Sequence, residues 1–139
     1  MAGLERATPK TVLGAVVALV LVPATGQAWT AFNLMEVNPV GKSVFEVVGR
    51  AGSGPSQYWC GAGDYARTVL GVKPTQRIYI WKAIGPSQTR PGYKAVQFAL
   101  SPPPGKEDYQ PGYSLSVKAE GDNMDAAMAR RYCGSGFPL

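Results

Sequence analysis

The feature that most constrains the fold is an uninterrupted apolar run near the N-terminus, residues 12–22. Arg6 and Lys10 give its N-terminal side a positive charge, and the small residue Ala28 follows it after a short stretch of turn-forming and polar residues. This order is typical of a secretory signal peptide. A bilayer-spanning helix needs about 20 apolar residues, which this run does not supply. Cleavage after Ala28 is therefore predicted, with an uncleaved membrane anchor as the alternative.

Cleavage would divide the chain into a signal peptide, residues 1–28, and one exported domain, residues 29–139. A domain of about 110 residues builds a single modest core. Glycine and proline, 17 and 12 residues in the whole chain, cluster between the apolar runs and mark turns. The expected location is the periplasm or the extracellular space.

The chain carries two cysteines, Cys60 and Cys133, both within the exported domain. Disulfides persist in exported proteins, and an even pair in a small exported domain is interpreted first as one bridge. A bridge that closes so long a loop stabilises the domain by roughly 4 kcal/mol in the chain-entropy model. Two free thiols, or pairing between two molecules, are the alternatives.

The chain contains no histidine. This excludes a Ser-His-Asp triad, a Cys-His dyad and an imidazole metal ligand. Cys60 lies near the start of a predicted helix, where a thiolate is favoured, but the general base that a cysteine nucleophile needs is missing. Zinc would need carboxylates for most of its ligands. The sequence therefore predicts neither a metal nor another cofactor, and Cys60 is assigned to the bridge.

A hairpin and a helix are predicted in the first half of the domain. Strand-like runs at Trp29–Val37 and Lys42–Gly49 flank Asn38–Gly41, whose proline and glycine favour a turn. A helical period then begins at Ser56 and ends at Gly71. Its apolar stripe consists of Tyr58, Ala62, Tyr65, Ala66, Val69 and Leu70.

Helical spacing also places the neighbours of this stripe. Trp59 falls at its edge, whereas Cys60 falls almost opposite it, together with Asp64 and Arg67. A core thiol would point the other way. A cysteine bonded to a C-terminal helix could occupy this position, which favours the bridge.

Three further strands are predicted in the second half, at Thr75–Ala83, Tyr93–Ser101 and Tyr113–Ala119. The middle one reads as half-buried, with Val96, Phe98 and Leu100 inward and Tyr93, Ala95 and Gln97 outward.

A short helix is predicted to close the chain, over Met124–Tyr132, with Asp122 or Asn123 as its cap. Together the elements predict a small α+β domain with a largely antiparallel sheet of about five strands and two helices packed on one face.

Charge is distributed unevenly along the domain. Between Tyr65 and Lys106 there is no acidic residue, but there are seven basic ones: Arg67, Lys73, Arg77, Lys82, Arg90, Lys94 and Lys106. From Glu107 to Asp125 five acids accompany the single base Lys118. One interpretation is that the two regions form ion pairs with each other or are ordinary solvated surface charges. The other is that the basic region forms a surface that attracts anions.

Aromatic residues coincide with the basic region. If Ile78 and Ile80 face the core, then Arg77, Tyr79 and Trp81 share the other side of the same strand. Such a face could stack on planar groups and hold an anion beside them. The full set of tentative binding residues is Arg77, Tyr79, Trp81, Lys82, Tyr93 and Lys94. The alternative is that this strand is buried on both faces.

These observations favour an exported, non-catalytic binding or accessory domain, whose partner is an anionic envelope component or another exported protein. Nucleic acid is not expected, because the chain has no RNA-binding signature and is predicted to be exported. The alternatives are a histidine-free hydrolase that uses carboxylates or hydroxyls, and a purely structural envelope protein. Glu107-Asp108 and Asp122 with Asp125 are weak candidates for such a carboxylate pair, since a loop and a helix cap explain them.

Export is tested by mass spectrometry of the protein recovered from the periplasm or the medium. We expect Trp29 at the N-terminus, because the apolar run is too short to span a bilayer and Ala28 suits the signal peptidase. Recovery of the intact chain, with residues 1–28 attached, from the membrane fraction would show that the segment is an anchor.

Overall fold

The computed structural model describes residues 28–134. The signal-peptide prediction, apart from Ala28, lies outside this range. The elements, in chain order, are β1 (Trp29–Thr30), β2 (Glu36–Gly41), β3 (Val44–Val48), α1 (Pro55–Thr68), β4 (Arg77–Pro86), β5 (Lys94–Ala99), β6 (Asn123–Asp125) and α2 (Ala126–Arg131). The strands form one sheet in the order β1-β2-β3-β5-β4-β6, and every pair of neighbours is antiparallel. The α+β prediction is confirmed, with six strands where about five are expected.

The additional strand arises because the predicted first strand, Trp29–Val37, is broken by a turn. The Ala31 N–H donates a hydrogen bond to the Met35 C=O across this turn, in which Leu34 has a φ of 67°. The predicted turn at Asn38–Gly41 is also wrong. These residues belong to β2, and the chain reverses two residues later, around Ser43.

Proline is tolerated inside β2 for a topological reason. β1 pairs only with Glu36 and Val37, so that β2 is an edge strand at Pro39. A missing N–H costs no ladder hydrogen bond on an open edge. The register of β2 against β3 also shifts between Pro39 and Gly41, which moves the reversal towards Ser43.

The core lies between one face of the sheet and helix α1. Strand alternation brings Val37, Val47, Val96 and Phe98 to that face, together with the predicted inward pair Ile78 and Ile80, and all six are fully buried. Trp59, predicted at the edge of the helical stripe, is also fully buried and packs edge-on against Phe98 with 5.0 Å between ring centroids. The helix ends at Thr68, and Val69 and Leu70 of the predicted stripe are exposed.

Helix α2 packs against the side of α1 that the stripe leaves uncovered. The helices approach so closely that a Cβ on Gly63 would lie 2.7 Å from the carbonyl carbon of Ala129. Next to this contact Cys60 is buried and bonded to Cys133, with 4.8 Å between the Cα atoms. The predicted disulfide is confirmed, and its position opposite the apolar stripe follows from this second helix.

The prediction of a strand at Tyr113–Ala119 is wrong. Its Val117 is buried, but only one backbone hydrogen bond joins the segment to β4, from Ile84 N–H to Val117 C=O. The register of β4 against β5 shifts twice between Ile80 and Gly85, and such irregularity disrupts a regular ladder. The sixth strand lies further along the chain at Asn123–Asp125 and pairs with the start of β4.

Helix α2 is correspondingly shorter than predicted. It begins at Ala126 instead of Met124, because Asn123–Asp125 form β6. Its cap is Asp125, which accepts a 2.7 Å hydrogen bond from the Met128 N–H. The predicted caps have other partners: Asp122 accepts from Asn123 N–H, and the Asn123 amide accepts from Arg77.

Replacement of Cys60 by serine is expected to lower the free energy of unfolding by about 2–5 kcal/mol, because the bridge restricts a long loop of the unfolded chain. Urea unfolding followed by tryptophan fluorescence measures the change. Cys133→Ser is the matched variant and should match the loss within error. Quantitative thiol labelling of the native, unreduced protein at both cysteines would contradict the bridge.

Candidate functional site

The sheet face that points away from the helices carries a buried carboxylate. Glu46 lies at the centre of β3 between inward-facing Phe45 and Val47, and it is fully buried. The loop after β4 folds over it and donates four hydrogen bonds to its carboxylate. They come from the Ser87 hydroxyl (2.6 Å), the Gln88 N–H (3.0 Å), the Thr89 N–H (2.8 Å) and the Thr89 hydroxyl.

These donors decide the protonation state of Glu46. Burial acts to raise its pKa, but the hydrogen bonds from Ser87 and Thr89 and from the Gln88 N–H outweigh burial, so that the pKa lies below its ordinary value of 4.5. The carboxylate is therefore charged at neutral pH, and four charge-assisted hydrogen bonds hold the loop.

The same loop is attached to β2. Asn38 donates to the Thr89 hydroxyl oxygen at 2.8 Å and to Glu36 at 2.9 Å. Arg90 forms an ion pair with Glu36 at 3.0 Å, and its guanidinium carbon lies 5.0 Å from the centroid of the Tyr93 ring. The loop therefore connects the middle of the sheet to Tyr93, the residue before β5.

The prediction that β5 is half-buried is wrong, because the loop after β4 covers its outer face. Gln97 and Ala95, both expected to be exposed, are buried. Gln97 donates to the Gln88 side chain at 3.2 Å. Only Tyr93 of the predicted outward set is exposed, with 47% of its surface accessible. Strand alternation correctly places Ala95 and Gln97 on the sheet face away from the helices, but the loop after β4 covers this face.

The predicted binding residues on β4 differ in how far they are available. The Arg77 guanidinium donates to the Asn123 side chain at 2.6 and 2.9 Å and to its carbonyl at 3.2 Å, and so it ties β4 to β6. Tyr79 and Trp81 are half-buried, neither core nor fully exposed, and Lys82 is exposed. Lys82 lies opposite Gln97 in the ladder, next to a register shift.

The six predicted residues do not converge on one pocket. Lys94 is opposite Pro86 at one end of the β4–β5 pair, whereas Arg77 is at the other end of β4. At about 3.3 Å per residue the two ends lie on the order of 25–30 Å apart. Tyr93 and Lys94 therefore belong to a different part of the surface from Arg77 and Tyr79.

Tyr93 and Lys94 border a cleft, which we name the Arg50 cleft. It comprises two adjoining cavities of about 510 and 370 Å³ that share Arg50, Ala51 and Tyr93. The first is completed by Asn33, Met35, Ser53 and Gln57, and the second by Gly49, Gly52, Tyr58, Gly92 and Lys94. Four chain segments meet there: the turn between β1 and β2, the end of β3 with its following loop, the start of α1, and the start of β5.

Sequence reasoning identifies only Tyr93 and Lys94 of this cleft. Arg50 is assigned to a loop, and Tyr58 to the apolar stripe. The Gly- and Pro-rich stretch Arg50–Pro55, immediately before a helix, is the signal that could indicate the cleft, since exposed backbone and side chains of such a loop converge at the helix start.

Comparisons with protein families, with curated proteins and with solved structures give no match to this chain.

The acidic residues do not form a metal site within residues 28–134, where no group of three potential ligands occurs. Asp122 is the acid whose pKa is raised. Burial raises it, while a hydrogen bond from the Asn123 N–H and the charge of Arg77 act in the opposite direction. In the same range no helix has the length and apolar character needed to cross a membrane.

Replacement of Glu46 by glutamine is expected to destabilise the domain by about 1–3 kcal/mol at pH 7, because an amide offers weaker acceptors and adds an N–H group among the donors. The pKa of Glu46 is lower in the folded than in the unfolded protein. Its stabilisation is therefore present above pH 4.5 and is lost as the pH falls through the folded-state value.

Urea unfolding at pH 7 and at pH 3 measures both effects. Part of the wild-type loss between the two pH values should be missing in Glu46→Gln. Glu120→Gln, at an exposed position, is the control and should behave as wild type. An unchanged pH dependence in Glu46→Gln would show that this carboxylate does not hold the loop.

Proposed function

We propose that residues 29–139 form an exported, non-catalytic binding domain that holds an anionic component of the cell envelope through its basic surface. One observation carries this proposal. Within residues 28–134 the acidic side chains are mostly occupied by partners, whereas most of the basic side chains are exposed and have no ion-pair partner in that range.

The occupied acids have identifiable partners. Glu36 pairs with Arg90, and Glu46 accepts from the loop above it. Asp64 accepts from the Phe32 N–H at 2.8 Å and lies 3.6 Å from Arg130. Asp122 and Asp125 accept backbone hydrogen bonds near β6 and α2. These carboxylates contribute little attraction to an external cation, because their charge is already engaged.

The basic side chains behave differently. The two ion pairs found within residues 28–134 engage Arg90 and Arg130, and Arg77 is held by Asn123. The exposed bases outside these contacts are Lys42, Arg50, Lys73, Lys82, Lys94, Lys106, Lys118 and Arg131. Uncompensated charges of one sign raise the local concentration of anions, and their effect decreases with salt.

The aromatic part of the face supports the same assignment. Tyr79 and Trp81 are half-buried on the strand that carries Lys82. A partly exposed aromatic side chain combines an apolar body with a polar edge, which suits an interfacial position. Lys82 with Tyr79 and Trp81 is therefore the part of the predicted set that we assign to surface contact, while Arg77 stabilises the sheet.

The alternative of a histidine-free hydrolase is less well supported. A general acid–base mechanism needs a carboxylate within reach of the substrate and free to exchange a proton. Glu46 is covered by the loop, and Asp125 is occupied as a helix cap. Asp122, with its raised pKa, borders a cavity of about 120 Å³ beside Tyr113, where no other acid lies in the lining. A purely structural envelope protein would differ from the proposed domain by having no affinity for anions.

Vesicle flotation tests the proposal on the domain that begins at Trp29. We expect binding to vesicles containing phosphatidylglycerol but not to phosphatidylcholine vesicles, with binding at about 0.1 M salt lost near 1 M, where the Debye length falls to about 3 Å. Lys82→Ala should weaken binding about fivefold, since a basic residue near an anionic surface contributes about 1 kcal/mol.

Arg131→Ala is the control, because it removes the same charge from helix α2, on the other side of the sheet. It should weaken binding less than twofold. Equal losses in both variants would mean that net charge alone, and not the β4 surface, attracts the vesicles. Absence of binding to anionic vesicles at 0.1 M salt would favour a structural role.

A further inference from the structure

Several side chains that line the Arg50 cleft have hydrogen-bond donors with spare capacity. Among residues 28–134 no acid lines either of its two cavities, whereas Arg50 lines both and Lys94 lines the second. Ser53 accepts a hydrogen bond from the Arg50 N–H at 2.9 Å, which leaves its own hydroxyl proton available. Gln57 accepts from the Gly54 N–H at 2.7 Å through its oxygen, which leaves its NH₂ group available.

Tyr58 supplies an independent observation. Only 2% of its surface is accessible, yet it lines the second cavity of the cleft together with Gly49. A Cβ at position 49 would collide with the Tyr58 hydroxyl, so that glycine is what allows this hydroxyl to reach the cleft wall. Burial alone raises the pKa of Tyr58, and among the described residues no hydrogen-bond partner of its hydroxyl contributes to that shift.

Among the described residues the Tyr58 hydroxyl has no hydrogen-bond partner, and at the cleft wall it is open to water or to a ligand. The Tyr58 hydroxyl stays protonated at neutral pH, so it can donate. It shares the second cavity with Arg50 and Lys94, whose charges attract an anion. The start of α1, where Gly54 is the cap, adds the positive end of a helix dipole beside Gln57.

We infer that the Arg50 cleft is a binding site for an oxyanion group, a carboxylate or a phosphate, carried by a small solute or displayed on a larger envelope molecule. Arg50 and Lys94 supply the charge, and the Tyr58 hydroxyl donates a hydrogen bond to the bound oxygen. The cavity volumes match those of ligand pockets, about 300–1,000 Å³. Tyr93, held by Arg90, forms the wall that both cavities share.

This site goes beyond the proposed function. Attraction to an anionic surface needs only exposed charge, such as that of Lys82. The cleft instead selects a single oxyanion group through a buried donor, and it lies on the order of 10–20 Å along β4 and β5 from Lys82 at the usual strand rise. The vesicle experiment tests Lys82, whereas the cleft is tested at Arg50 and Tyr58, so the two proposals can fail separately.

Titration of the ¹⁵N-labelled domain with tripolyphosphate and with citrate, followed by amide shifts, tests the site. At about 0.15 M salt we expect saturable shifts at Ser53, Gln57 and Lys94. Arg50→Ala should weaken binding more than about tenfold, and Tyr58→Phe, which removes only the hydroxyl, about ten- to hundredfold, as for one hydrogen bond to a charged group. Lys106→Ala, which removes an exposed charge from the proline-rich connection, should change binding less than twofold.

Each outcome either supports the site or overturns it. Equal affinity in wild type and Tyr58→Phe, with unchanged stability, would remove the buried donor from the site. Shifts centred on Lys82, or equal losses in Arg50→Ala and Lys106→Ala, would reduce the interaction to general charge. Binding of tripolyphosphate and citrate without vesicle binding identifies a solute site, and vesicle binding that Tyr58→Phe weakens identifies an oxyanion displayed on the membrane.

Discussion

The arrangement of the surface depends on one buried carboxylate. Glu46 lies at the middle of the sheet on the face without helices, where an uncompensated charge would cost several kcal/mol. The loop after β4 compensates it with four hydrogen bonds and in doing so covers Gln97 and Ala95. The sheet is consequently packed on both faces near its centre. The course of this loop also fixes Arg90, which pairs with Glu36 and holds Tyr93 at the edge of the Arg50 cleft.

Local patterns account for most of the fold that could be predicted. Alternation places Ile78 and Ile80 inward, and helical spacing places Cys60 opposite the apolar stripe, where α2 and Cys133 are found. The role of Glu46 could not be predicted, since a single acid within Phe-Glu-Val-Val is equally consistent with a residue that faces solvent. Its partners are more than 40 residues away along the chain. Non-local contacts of this kind leave no periodic signal.

The errors at the C-terminal end have a related cause. Residues 113–119 alternate as a strand does, but a strand forms only where a neighbour offers a regular ladder. The shifted register of β4 near Lys82 offers a single hydrogen bond at Val117. The candidate site is only partly visible in the sequence for a similar reason. Charge and aromatic content indicate Tyr93 and Lys94, whereas Arg50 and Tyr58 join them only after β3, α1 and β5 have come together.

Different contacts stabilise the two sides of the sheet, and the Arg50 cleft depends on both sets of contacts. On the helix side, Cys60–Cys133 and the close contact at Gly63 hold α2 against α1. On the other side, Glu46 holds the loop that ends at Tyr93. Tyr58 of α1 and Lys94 of β5 both line the cleft. The contacts on both sides of the sheet therefore set the geometry of the cleft before a ligand binds. A site whose donors are already in place loses less conformational entropy on binding, and this favours recognition of a small anion by few contacts.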